Sequence, residues 1–136
     1  MSSATLDELG KLVLRLTIGI LLLLHGIAKL THGVGPIESM MVARGLPAFF
    51  AWAVYVGEIL APLLLIFGVY TRLGGLLIVI SMVVAILLAH SGHWSQLSGS
   101  GGWRLELQGL FLFGALAVTL LGAGNYSVAG KGGRWN

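Results

Sequence analysis

From Leu46 to Tyr70 the chain is apolar except for one charged side chain, Glu58, which follows Gly57 and precedes Pro62 by one turn. A run of this length crosses a bilayer, since about 20 residues at 1.5 Å rise span the hydrocarbon. The carboxylate therefore falls near the membrane midplane, where an ionisable group must face protein or water instead of lipid. Pro62 has no N–H and clashes with the carbonyl four residues back, that of Glu58. One turn thus offers a carboxylate and a freed backbone carbonyl, in a helix expected to bend there. Two roles suit such an acid: a structural ion pair between helices, or a functional site.

The remaining sequence fits the same environment. Of 136 residues, 57% are hydrophobic and 10% charged, and the mean hydropathy of +0.94 lies outside the range of soluble domains. The 21 glycines have no collagen-like period. They suit close helix packing, because lipid supplies no hydrophobic force between helices and small residues let backbones approach. The formal charge of +3 is scattered near helix ends with no basic cluster, which argues against a nucleic-acid partner. Without cysteine the chain holds no dithiol centre, thiolate metal site or disulfide.

An all-α, polytopic membrane protein is expected, a single domain over residues 1–136. Its four transmembrane helices cover about Leu12–Leu30, a second ending near Gly68, Leu73–Ala89 and Arg104–Leu121. Thr5 or Asp7 is expected to cap the first helix. On that helix Arg15, Gly19, Leu22, Gly26 and Lys29 share one face, with His25 at its edge. The cations would then point into the bundle. The alternative is that Arg15 and Lys29 snorkel to opposite interfaces, the simpler expectation for Lys29 alone. An internal hydrogen bond is favoured for His25 over a metal or haem ligand.

Between the first two spans, Pro36 to Arg44 predicts a short interfacial helix, begun by Pro36 and stopped by Gly45, serving as a connector or as a lid. The third span offers Gly74, Gly75, Ser81, Ala85 and Ala89 for packing. His90 and His93 supply only two metal ligands with no acidic third, so solvated histidines are expected and no metal is assigned. The Ser- and Gly-rich stretch near 98–102 reads as a mobile loop. Glu106 opens the fourth span, where the helix dipole favours a carboxylate.

Four spans leave both termini on one side. That side collects Lys11, Arg15, Arg72, Lys131 and Arg134, against Lys29, Arg44 and Arg104, so the termini are expected in the cytoplasm. Counting rise from the outer interface places Glu58 about 15 Å deep and His25 about 7 Å, a gap that side chains and one water bridge.

Several short motifs recur together: Arg15, His25-Gly26-x-x-Lys29, Gly45-Leu46-Pro47, Gly57-Glu58, Gly68-x-x-Thr71-Arg72, Glu106, and Gly122-x-Gly124-x-Tyr126-Ser127. In order and spacing the chain resembles the DoxX family of small bacterial membrane proteins, from about Leu12 to Ser127. The resemblance implies a four-helix bundle in the bacterial inner membrane. It also implies, for some relatives, a role as subunits of quinone-linked oxidoreductases, thiosulfate:quinone oxidoreductase included, or as membrane partners of soluble redox enzymes. Val128-Ala129 stands where relatives often carry Leu-Asp, so any role of that acid is missing here.

The leading expectation is a non-catalytic accessory subunit that helps a redox system meet the quinone pool. Glu58, His25, Lys29, Glu106 and Arg15 form the polar cluster that would serve a quinone or a proton. No covalently bound cofactor is implied, and electrons would come from a partner's cofactor. The expected partners are membrane lipids and other membrane or redox subunits, with self-association into a homo-oligomer left open. The rivals are a purely structural subunit and a small lipid- or solute-binding protein; a transporter fits less well without an inverted repeat.

Overall fold

The computed structural model describes residues 1–136 and contains helices but no strands. Helix α1, Ser3–His32, takes in the polar lead as well as the apolar run, and at 1.5 Å per residue is about 45 Å long. Its N-cap is Ser2, whose side chain accepts from the Thr5 amide; neither Thr5 nor Asp7 caps it, because the helix starts a turn earlier than its apolar pattern. Helix α2, Gly35–Ala43, has Pro36 in its first turn, and Gly45 follows it with φ +76°.

Helix α3, Ala48–Phe67, is a composite. It opens as a 3₁₀ turn over Ala48–Ala53, widens to a π-turn over Val56–Leu60, and closes as α-helix over Ala61–Phe67. Helix α4, Thr71–Ala89, follows after a turn in which Gly68 and Tyr70 both adopt left-handed backbone angles. Helix α5, Glu106–Leu121, is the last.

Helices α1, α3 and α4 are long and apolar enough to cross a membrane, whereas α5 has 16 residues. α1 packs on α3, α3 on α4, α4 on α5, and α5 returns to α1, so the four close a ring. Ile18, Leu22, Leu65, Ile78, Met82, Phe111 and Val118 fill its interior. The outward surface is apolar too: Val13, Ile20, Leu24, Leu73, Ile80, Phe113 and Leu120 are exposed. Lipid suits that face, since water would leave so large an apolar area unburied.

A second, small core of Val34, Met41 and Ala51 fixes α2 over the ring at the end away from the termini. Arg44 adds a bond to the Leu88 carbonyl on α4 (3.1 Å). Two expectations change. Ala85 and Ala89 are not packing positions, Ala89 being exposed and both lining a cavity. The Ser- and Gly-rich loop is tied: Arg104 N–H donates to Gln96 O, Ser98 N–H to Gly102 O, and Trp103 Nε1 to Trp94 O.

Candidate functional site

The π-turn in α3 builds the site. Pro62 cannot donate to the Glu58 carbonyl, and the helix relaxes by widening: the Ala61 amide bonds to Val56 O, five residues back. The wider turn buries Gly57 and Glu58 together. The Glu58 carbonyl then lies against Gly26 of α1, so closely that a Cβ at position 26 would overlap it. Glycine there is required by the approach of two backbones.

That approach brings the Glu58 side chain, 8% exposed, to Lys29 one turn further along α1. Lys29 Nζ donates to Glu58 Oε2 at 2.6 Å. Such a charge-assisted bond is short and strong, and although the Lys29 side chain keeps some exposure, burial of the carboxylate limits its screening. A second tie joins the same helices, from Tyr55 Oη to the Lys29 carbonyl (3.1 Å). Lys29 therefore pairs inward and does not simply snorkel.

Beside the pair is a cavity of about 520 Å³, within the size range of small-molecule sites. Its walls are mostly apolar, with Leu22, Met82 and Phe111 among them, and α2 contributes Met40 and Met41 at one end. Six polar side chains also line it: His25, Lys29, Glu58, Ser81, His90 and Gln108. His25 is exposed and stands edge-on to the Phe111 ring, centroids 5.7 Å apart. It makes no hydrogen bond within the protein, contrary to the internal bond expected of it, because its helix position is the cavity margin and not the α1–α3 contact.

The remaining predicted residues lie elsewhere. Arg15, 2% exposed, is at the opposite end of α1, donating to the carbonyls of Ala123 (2.9 Å) and Tyr126 (2.7 Å). Glu106 is exposed at the start of α5, against Gly102, outside the cavity lining. Arg15 and Lys29 share a helix face, but 14 residues of rise, about 21 Å, separate them along it.

Sequence reasoning passed over Ser81 and Gln108 as site residues and treated His90 as solvated. His90 is half-buried, with Nε2 3.3 Å from Gln108 Nε2 and Nδ1 3.4 Å from His93 Nδ1. The signal available for two of them was positional: His90 ends α4 and Gln108 lies in the first turn of α5. Burial pushes His93 below the usual histidine range, and Arg104 and His90 add to the shift. No three His, Cys, Asp or Glu side chains gather as a metal site.

The DoxX family model matches residues 10–91, which carry His25, Lys29, Glu58, Ser81 and His90. The chain belongs to the DoxX family. This DoxX protein is also 34% identical over 80 residues to the Bacillus subtilis protein named "Putative oxidoreductase CatD". The match spans 59% of each chain, so three-fifths of that relative's length is represented. No solved structure matches. Helix α5, with Gln108 and Phe111, lies beyond the segment that defines the DoxX match.

Proposed function

We propose that this DoxX protein is a four-span accessory subunit of the bacterial inner membrane that takes a quinone head group into the cavity beside Glu58. In doing so it brings a partner redox enzyme to the quinone pool. Helix α5 serves as the fourth span: its 16 residues cover about 24 Å, and the bilayer thins to meet a short helix at modest cost. Helix α2 then lies at the interface over the cavity, with both termini on the cytoplasmic side, where the Lys and Arg residues are more numerous.

The observation that carries this reading is the Lys29–Glu58 pair set in an apolar-walled cavity. Lys29 has three ammonium hydrogens and the pair uses one, so others remain for a ring oxygen. Glu58 holds the ammonium in place. His25, at the margin and without a protein partner, is free to hydrogen-bond the ligand. The name of the Bacillus relative, an oxidoreductase, agrees with service to a redox system. Electrons pass between the quinone and a cofactor of the partner.

Extraction of the purified protein tests this. Isoprenoid quinone should be retained by wild type and lost from Glu58→Gln; wild type purified from quinone-replete membranes yet free of quinone would rule the reading out. A second reading has its own support, since the 2.6 Å pair joins α1 to α3 and so also serves as a structural clamp. Under that reading a larger complex co-purifies in mild detergent and no ligand is present.

A further inference from the structure

We infer that the cavity holds its ligand at two poles, and that Gln108, oriented by His90, is the second. The inference rests on the quinone reading above and adds to it the contact on the far wall. The first pole, Lys29 with Glu58, comes from α1 and α3. Gln108 starts α5 and His90 ends α4, and both line the same cavity. Apolar side chains, including Leu22, Met82 and Phe111, line the walls as well.

The bonding order along the second pole follows from what each atom can do. Gln108 Nε2 only donates, so His90 Nε2, 3.3 Å away, is the acceptor of that bond. His90 then carries its proton on Nδ1, which points at His93 Nδ1, 3.4 Å away, as the acceptor. The two histidines thereby fix which way the amide faces. One Gln108 N–H and its carbonyl have no partner in the protein, and neither has the Ser81 hydroxyl on the same lining.

Ligand class follows from this arrangement. A lipid or fatty acid with one polar head would satisfy Lys29 and leave the Gln108 amide facing hydrocarbon, an unpaired polar group that counts against it. A flat ring with oxygens on opposite edges offers a hydrogen-bond acceptor to each pole. Gln108 is thus the residue that selects a dicarbonyl ring over a single-headed amphiphile.

Binding of 1,4-naphthoquinone and of 1-tetralone, a fused ring of similar size with one carbonyl, to the full chain in lipid nanodiscs measures the selection. Wild type should favour the quinone by about three- to tenfold, the worth of one net hydrogen bond. Gln108→Met, nearly isosteric, should level the two ligands without weakening tetralone, whereas Lys29→Met should weaken both. His90→Leu, which keeps the amide but frees its orientation, should give a smaller preference. If Gln108→Met does not fold, Gln108→Asn, which withdraws the amide by one methylene, makes the same comparison. Equal affinities in wild type, or a preference that survives the change at Gln108, would overturn the second pole and leave the cavity reading standing. Binding of neither ligand would overturn both.

Discussion

The two ends of the helix ring solve the burial of polar groups in opposite ways. At the end holding the termini, the polar side chains are spent on the protein itself. Arg15 bonds two carbonyls of the 122–127 turn, and Arg72 bonds those of Thr119 and Leu120, the exposed acceptors at the end of α5. Thr71 gives its amide and hydroxyl to Asn136, and Glu8 gathers Lys11, Lys131 and the Asn125 amide. At the other end a single ion pair faces a cavity of about 520 Å³, and His25 and Ser81 have no protein partner. Apart from Arg15 Nε, which is buried without a partner, the groups at the end holding the termini satisfy one another and have little use for a ligand. The end that leaves donors unspent inside an apolar wall is where an external polar molecule lowers the free energy.

Removing the guanidinium at Arg15 should have the largest effect on folding. Arg15→Met keeps much of the apolar volume but strands the buried Ala123 carbonyl, at about 1–3 kcal/mol, and at a smaller cost the part-buried Tyr126 carbonyl. A loss of about 3 kcal/mol is expected, read as a lower unfolding midpoint in detergent, with ligand affinity in the surviving folded fraction unchanged. A variant of full stability would show that the closed end is not held by this network. Gly26→Ala comes next, at about 2 kcal/mol, because the added methyl meets the Glu58 carbonyl and separates two backbones. It should lower stability and ligand binding together, since the same displacement moves Lys29 away from Glu58.

The contrast between the ends was only partly legible in the sequence. Helix content, the apolar runs and the short helix after Pro36 followed from pattern and turn residues. Pro62 and Gly57-Glu58 marked a disturbance in α3, yet a bend and a π-turn follow equally from a missing donor, and only the packing decides between them. Helical periodicity put Arg15 and Lys29 on one face, and both are indeed turned inward, but periodicity says nothing of what comes from other helices to meet them. Arg15 is met by a turn more than 100 residues away and Lys29 by the acid of α3. The pairing of Gln108 with His90 depends on two helix ends meeting across the loop, which no local pattern encodes. In the sequence Arg72 reads only as a topology signal, and its bonds to the end of α5 have no local pattern for the same reason.

A smaller effect separates two replacements of Glu58. Glu58→Leu deletes both the charge and the hydrogen bond and leaves Lys29 without its partner. Because the Lys29 side chain is 28% exposed, the ammonium can turn toward water, so the loss should be about 1–2 kcal/mol and not the 3–5 of a sealed pair. Glu58→Gln retains a hydrogen-bond acceptor for Lys29 and should cost less than half of that. Thermal unfolding of the two variants side by side measures the difference, and equal losses would mean that the pair depends on the carboxylate's charge alone and that the hydrogen bond kept by Gln contributes nothing. If the cavity end is the functional one, Glu58→Gln should still lose its ligand, so that binding and stability part company there as they do not at Gly26.

The smallest expected effect is local and belongs to the closed end. The Asn125 amide, Lys11 and Lys131 hold Glu8, in the polar lead ahead of the apolar run of α1, well below the usual carboxylate range, from 4.5 to about 2, against a smaller opposing effect of burial. A carboxyl whose folded pKa is depressed contributes stability that is fully present above its unfolded value and is lost as pH falls through the folded one. The turn bearing Asn125 should therefore stay protected above about pH 4.5 and loosen progressively toward pH 2. Hydrogen–deuterium exchange over residues 122–127, corrected for the intrinsic pH dependence of exchange, would detect this as a falling protection factor. Glu8→Gln should be looser at neutral pH and show no further change on acidification. Protection that persists unchanged to pH 2 in wild type would show that Glu8 merely sits beside the turn, and that Arg15 alone holds it.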